Sequence, residues 1–159
     1  MSRIQKIFDK CFRIMEKENI PIAKNIDRTI KINNRYKSTL ATCSLVEKQY
    51  IIEINGHILK TNTKTLEEIL LHELIHTIKG CFNHGTKFKQ YCKQLNNKYG
   101  YDINTSSPAD KITFTNMNIY NYQCPCCKRQ YVAYKKPSNK LRLCSCGHCF
   151  SLHMWKFTK

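Results

Sequence analysis

Between Leu70 and Gly80 the chain reads Leu70-Leu71-His72-Glu73-Leu74-Ile75-His76-Thr77-Ile78-Lys79-Gly80, and the His-Glu-x-x-His inside it demands a helix. Histidines four residues apart lie on one helical face, so His72 and His76 can reach a single metal ion. Glu73, next to the first of them, is placed to take a proton from a water at that metal. So short a motif must be supported by its surroundings. Leu66, Ile69, Leu70, Leu74 and Ile78 recur at helical spacing and form an apolar side. Thr65-Leu66-Glu67-Glu68 reads as a capping box, with Thr65 as cap and Glu68 reaching back. Lys79-Gly80 reads as a basic last turn and a stop, giving a helix of about four turns. The competing reading is a partly buried helix with two incidental histidines.

Catalytic zinc takes three protein ligands and keeps one position open. Downstream of His76 the acids are Asp102 and Asp110, with no Glu, which argues against a glutamate ligand from a later helix. His84, in Cys81-Phe82-Asn83-His84-Gly85, follows the break at Gly80, where a chain folding back presents it to the metal. The Gly and third His come later than in His-Glu-x-x-His-x-x-Gly-x-x-His. His84 is the predicted third ligand; the alternative is a capping or solvent-facing histidine.

Leu70 to His76, then Asn83-His84-Gly85-Thr86-Lys87-Phe88, then a helix end bearing Asn, together resemble the SprT-like metalloprotease family, which includes Spartan. The resemblance runs from about Thr65 to Asp102, is weaker upstream, and extends again to a C-terminal zinc ribbon. It implies a gluzincin-like fold, peptide hydrolysis and association with DNA, with DNA-bound or DNA-crosslinked proteins as substrates.

A chain of 159 residues with 42% apolar residues suits one compact domain plus a small appendage. The net charge of +16 points to a polyanion, nucleic acid first and an anionic membrane surface second. No apolar run approaches the roughly 20 residues that span a bilayer, and the N-terminus lacks a signal-peptide pattern. The expectation is therefore a cytoplasmic or, in a eukaryotic cell, nuclear monomer that is not secreted and does not act at a membrane. Of ten cysteines, six crowd into the last third; Cys11, Cys43, Cys81 and Cys92 read as reduced, partly buried core residues.

From Ser2 to about Glu18, Ile4, Ile7, Phe8, Cys11, Ile14 and Met15 predict a helix packed on the following sheet, a membrane-surface role being the alternative. Thr29–Asn33, Thr39–Val46 and Gln49–Ile54 predict three strands in an antiparallel meander, with turns at Asn33-Asn34 and Glu47-Lys48. Phe88, Tyr91, Cys92 and Leu95 predict a second helix ending near Asn96-Asn97 that packs across the first. Tyr91, Tyr99 and Tyr101 are near enough in sequence to steady an oxyanion, but packing is the better reading of each. Little in the sequence suggests a side-chain specificity pocket.

Asn104 to Asp110 opens a linker, placed at 104–120, between a catalytic domain at 1–103 and a tail at 121–159. In the tail Cys124-Pro125-Cys126-Cys127 and Cys146-Gly147-His148-Cys149 form two Cys-x-x-Cys knuckles. Cys124, Cys127, Cys146 and Cys149 are the predicted ligands of a structural zinc, and Cys126 or Cys144 could replace one of them. Gln130–Lys135 and Lys140–Leu143 read as strands joined at Pro137-Ser138-Asn139. From Lys111 onward there is no acid, and Lys128, Arg129, Lys135, Lys136, Lys140 and Arg142 are the candidate phosphate contacts. Tyr131, Tyr134, Phe150 and Trp155 lie among them, a combination suited to single-stranded or distorted DNA. The alternative is a solvated basic face with aromatics packed around the knuckles.

The predicted architecture is α+β: a zincin, gluzincin-like metalloprotease domain with a small antiparallel sheet, followed by a β-rich zinc ribbon. His72, His76 and His84 hold a catalytic zinc and Glu73 is the general base. Two other readings stay open. One is a nucleic-acid-binding zinc protein with weak or no peptidase activity; the other is a general cytosolic metallopeptidase.

Overall fold

The computed structural model describes the backbone of residues 1–105, 120–133, 141–143, 146–147, 149–151 and 156–157, and the side chains of 1–105, 123–129, 146 and 147. The chain divides into two compact units, Met1–Thr115 and Asn116–Lys159. Most of the predicted connecting segment, 106–119, lies outside the described residues.

The first unit opens with α1 (Arg3–Lys17), capped by the Ser2 hydroxyl, which accepts the Gln5 N–H at 3.2 Å. The periodic residues of the sequence are its buried ones, together with Phe12. Its main partner is α2 (Thr63–His76) rather than the predicted sheet. The reason lies in α2, where ten of fourteen residues are buried and which must be covered on several sides at once. One strand, α1 and α3 (Thr86–Tyr99) all pack on it. α2 starts earlier than the capping box implies: the cap is Asn62, whose Oδ1 accepts the Thr65 N–H at 2.9 Å. Glu68 is thereby released from a capping role. The regular helix also ends at His76, and Gly80 makes its turn beyond, in the left-handed region at φ 84°.

The sheet comprises β1 (Lys31–Asn33), β2 (Ala41–Val46) and β3 (Gln49–Asn55) in the order β1-β3-β2. β2 and β3 form the predicted hairpin, and Glu47 (φ 48°) and Lys48 (φ 66°) are both left-handed, as a two-residue hairpin turn requires. The meander is not formed. β1 pairs parallel with the far side of β3, because Asn33-Asn34 is not a hairpin turn. Asn33 Oδ1 accepts the Arg35 N–H at 2.9 Å, and residues 34–40 then cross the end of β3. Asn55, fully buried there, anchors the crossing through Thr39 O and Leu40 O, each at 2.8 Å.

α3 runs to Tyr99, past the predicted end at Asn96-Asn97, and stops at Gly100 (φ 66°). Two buried carboxylates tie the helices together. Glu18 bonds Lys98 (2.8 Å) and Tyr99 (2.7 Å), and Glu67 bonds Lys10 (2.5 Å) and Tyr101 (2.7 Å). Two of the three candidate oxyanion tyrosines are thus committed to structural carboxylates.

The second unit contains β4 (Tyr120–Gln123), β5 (Gln130–Ala133), β6 (Leu141–Leu143), β7 (Cys149–Ser151) and β8 (Lys156–Phe157). Among the described residues β5 and β6 are not paired with each other: β4 takes β5 and β8 as neighbours, and β6 pairs with β7. Among the described residues no helix is long and apolar enough to cross a membrane.

Candidate metal centre

His72 and His76 project from one face of α2, and the turn at Gly80 brings His84 back beside them. The turn is held by Cys81 N–H donating to Ile78 O at 2.9 Å. His76 Nδ1 lies 2.8 Å from the Cys81 carbonyl and His72 Nδ1 lies 2.9 Å from the Asn104 carbonyl. A carbonyl only accepts, so both Nδ1 atoms carry the proton and both Nε2 atoms are left with lone pairs. These Nε2 atoms stand 3.1 Å apart, and His84 Nε2 is 3.1 Å from that of His72. Facing lone pairs at such a distance repel unless a cation lies between them. Tetrahedral zinc with bonds of about 2.0–2.1 Å would set its nitrogens roughly 3.3–3.4 Å apart, so the triad fits such an ion. Phe88 of α3, fully buried, floors the site with its ring centroid 4.8–4.9 Å from all three imidazoles.

The surrounding protein favours neutral imidazoles and a proton-hungry carboxylate. Burial, then the neighbouring His76 and His84, lower the pKa of His72 to about 4. Burial also lowers that of His76. Glu73 is 8% exposed, and burial raises its pKa to about 7, against the opposing pull of the Cys43 backbone N–H. A carboxylate so placed changes protonation near neutral pH, which suits a general base.

That N–H belongs to β2, an edge of the three-stranded sheet that packs against α2. Leu40 bonds inward to Asn55, so the alternation of an antiparallel pair leaves the backbone groups of Ala41, Cys43 and Leu45 at the outer edge.

Between the start of β2, α2 and residues 102–105 lies a cavity of about 270 Å³ that reaches His72, Glu73 and His84. Leu40, Ala41, Ile69 and Ile103 supply apolar wall, and Glu68 and Asp102 supply carboxylates. The sequence offered little sign of such a pocket, because its walls come from three separate segments. The third of these segments belongs to a strap formed by residues 101–104. Tyr101 bonds Glu67; the Asp102 N–H donates to Glu68 Oε1 (2.9 Å); Asn96 clasps both backbone groups of Ile103 (2.9 and 2.8 Å). The strap then delivers the Asn104 carbonyl to His72. Phe88 and Asn96 were visible in the sequence only as parts of a helix. The Cys81 and Asn104 carbonyls had no signal, since any residue can supply one.

The SprT-like family model matches residues 5–110, which carry this whole arrangement. The chain belongs to the SprT-like family. Its site is thereby that of a metallopeptidase-like protein, and the histidine triad could bind a metal such as zinc. No curated protein matches the chain.

Beyond the SprT-like match, Cys124, Cys127 and Cys146 also converge, and they too could bind a metal. Cys124 Sγ and Cys146 Sγ are 3.9 Å apart, close to the roughly 3.8 Å expected of two thiolates on tetrahedral zinc. Cys124 sits in a turn in which it bonds Arg129 O through its N–H (2.9 Å) and accepts the Lys128 N–H (3.0 Å). Lys128 at φ 60° and Gly147 at φ 85° provide the tight reversals. Exposed Cys126 is not among the converging three. Cys149 begins β7 with its side chain outside the described residues, and Cys144 lies outside them altogether. Of the candidate phosphate contacts, Lys128 and Arg129 are exposed. Arg142 lies in β6, its side chain outside the described residues, as Lys135, Lys136 and Lys140 are wholly.

Proposed function

We propose that the SprT-like unit is a zinc metalloendopeptidase of gluzincin-like fold, acting on proteins bound or crosslinked to DNA. The observation that carries this reading is the convergence of three imidazole nitrogens beside Glu73 at the mouth of a cavity. His72, His76 and His84 would hold the ion, with the Asn104 and Cys81 carbonyls keeping two of the rings in the ligating tautomer. A zinc ion held there supplies Lewis-acid polarisation of the scissile carbonyl and makes a water acidic near neutral pH. Glu73 would take a proton from the water as its oxygen adds to the scissile carbonyl carbon, and would return that proton to the amine as the C–N bond breaks. The outer edge of β2 offers backbone groups to which an extended substrate adds as a further strand.

The DNA component rests on charge. The chain carries +16, and nine of its cations follow Asp110 without one acid. In this reading Cys124, Cys127, Cys146 and Cys149 close a second, structural zinc site that stands in for a core too small to build. Selectivity for substrates then comes partly from proximity on the nucleic acid.

The test is cleavage of a DNA-binding protein by the zinc-loaded chain and by Glu73→Gln, each with and without single-stranded DNA. Cleavage that needs both Glu73 and DNA is the expected result. Glu73-dependent cleavage indifferent to DNA would leave a general metallopeptidase. No Glu73-dependent cleavage would remove the peptidase reading and favour a nucleic-acid-binding zinc protein.

A further inference from the structure

Four glutamates of the first unit are buried, and three of them have an evident purpose. Glu18 and Glu67 each hold a lysine and a tyrosine, and Glu73 stands at the metal centre. Glu68 is different. It is 4% exposed, bonds one backbone N–H through Oε1, and pairs with no cation among the described residues. A carboxylate so placed gains when a cation comes within hydrogen-bond reach of it. The place of Glu68 in the fold says where such a cation can come from. Glu68 precedes His72 by one helical turn on the same face of α2, and both line the cavity.

We propose that this cavity is a subsite for a lysine or arginine side chain of the substrate, with Glu68 as its specificity-determining carboxylate. The assignment rests on the peptidase reading and names the substrate residue that the site selects. A volume of about 270 Å³ falls below the roughly 300–1,000 Å³ of pockets that hold a drug-sized ligand, and suits one long side chain. Leu40, Ile69 and Ile103 offer apolar wall to the aliphatic stem, while the charged head reaches Glu68. Asp102 also lines the cavity. The chain as a whole is strongly basic, so a buried carboxylate with no cation beside it among the described residues stands out. The preference also suits the proposed substrates, because proteins that bind DNA neutralise its phosphates with lysine and arginine.

The test compares two peptides, identical except for lysine or its uncharged isostere norleucine at one position, scanned along the sequence around the scissile bond. Each is cleaved by the zinc-loaded full chain and by Glu68→Gln, whose amide oxygen can still accept the Asp102 N–H. At one position the wild type should prefer lysine by about tenfold or more in kcat/KM, since a site built for a polar group rejects the analogue lacking it. Glu68→Gln should bring that ratio near one through loss of the preference for lysine. Equal wild-type use of both peptides at every position overturns the proposal, as does a preference that survives Glu68→Gln. Binding of the same peptides to Glu73→Gln, with and without Glu68→Gln, is measured by fluorescence anisotropy. If nothing is cleaved, the peptidase reading fails and the binding ratio alone decides the subsite. The wild-type comparison needs no variant, so misfolding of Glu68→Gln does not shelter the idea.

Discussion

Replacing Asn96 by alanine tests whether the strap of residues 101–104 sets the geometry of the metal centre. Asn96 accepts the Ile103 N–H at 2.9 Å and donates to the Ile103 carbonyl at 2.8 Å, and Ile103 is 3% exposed. Alanine removes both partners from a buried peptide group. Each lost bond contributes about 0.5–1.5 kcal/mol net, and a buried group left unpaired costs more, so the expected loss is about 2–3 kcal/mol. In a unit of this size that lowers Tm by roughly 10 °C. The informative effect is on the metal. Asn104 follows Ile103 and its carbonyl holds His72 Nδ1 at 2.9 Å, so a loosened strap frees the ring. Losing such support typically costs about 10–100-fold in metal affinity. Helical ellipticity reports the stability, since all the described helices lie in the first unit. Cobalt(II) titration reports the metal, because histidine and thiolate sites differ in absorption. Tyr99→Phe is the control: it removes a 2.7 Å bond to Glu18 but keeps the ring that stacks on Tyr101 of the strap, and so should destabilise without loosening the Asn104 carbonyl. If Asn96→Ala loses the same stability as predicted yet binds cobalt at the histidine site as tightly as wild type, the strap does not position His72.

Further outcomes follow from the same geometry. His84→Ala should abolish metal binding at the histidine site while changing the stability of the metal-free chain by less than about 0.5 kcal/mol, since His84 is exposed; differential scanning calorimetry after chelation checks this. Asn62→Ala should lower stability by about 1 kcal/mol through loss of the α2 cap, measured by urea unfolding. The pH dependence of stability has a definite sign. Bonds from Lys98 and Tyr99 lower the pKa of Glu18, and bonds from Tyr36 and Asn33 lower that of Glu53, both from an ordinary 4.5. Their contributions are fully present above pH 4.5 and are lost as pH falls through the depressed folded values, so Tm should drop with acidification in that window. Glu18→Gln should flatten the drop, and an unchanged profile would speak against the ion pair.

What the amino-acid sequence determined by itself is what depends on neighbours along the chain. Two histidines four apart with Glu73 between them can share a metal only on a helix, and the apolar spacing around them says that the helix exists. The left-handed pair Glu47-Lys48 specifies a hairpin, and a Cys-x-x-Cys run specifies a knuckle, because each is closed by bonds within a few residues. His84 was within reach because Gly80 breaks the chain just before it. The capping box misled for an instructive reason: Asn62 lies three residues before Thr65 and competes for the same N–H. Tertiary structure decided the rest. β1 joins β3 in parallel because of a crossing pinned by a buried Asn55, which no local pattern announces. Phe88 becomes the floor of the metal centre, and Glu68 leaves its expected cap to face a cavity, only once α2, α3 and the strap have packed. The carbonyls that hold His72 and His76 come from backbone, which carries no side-chain signature, so their role exists only in the folded chain.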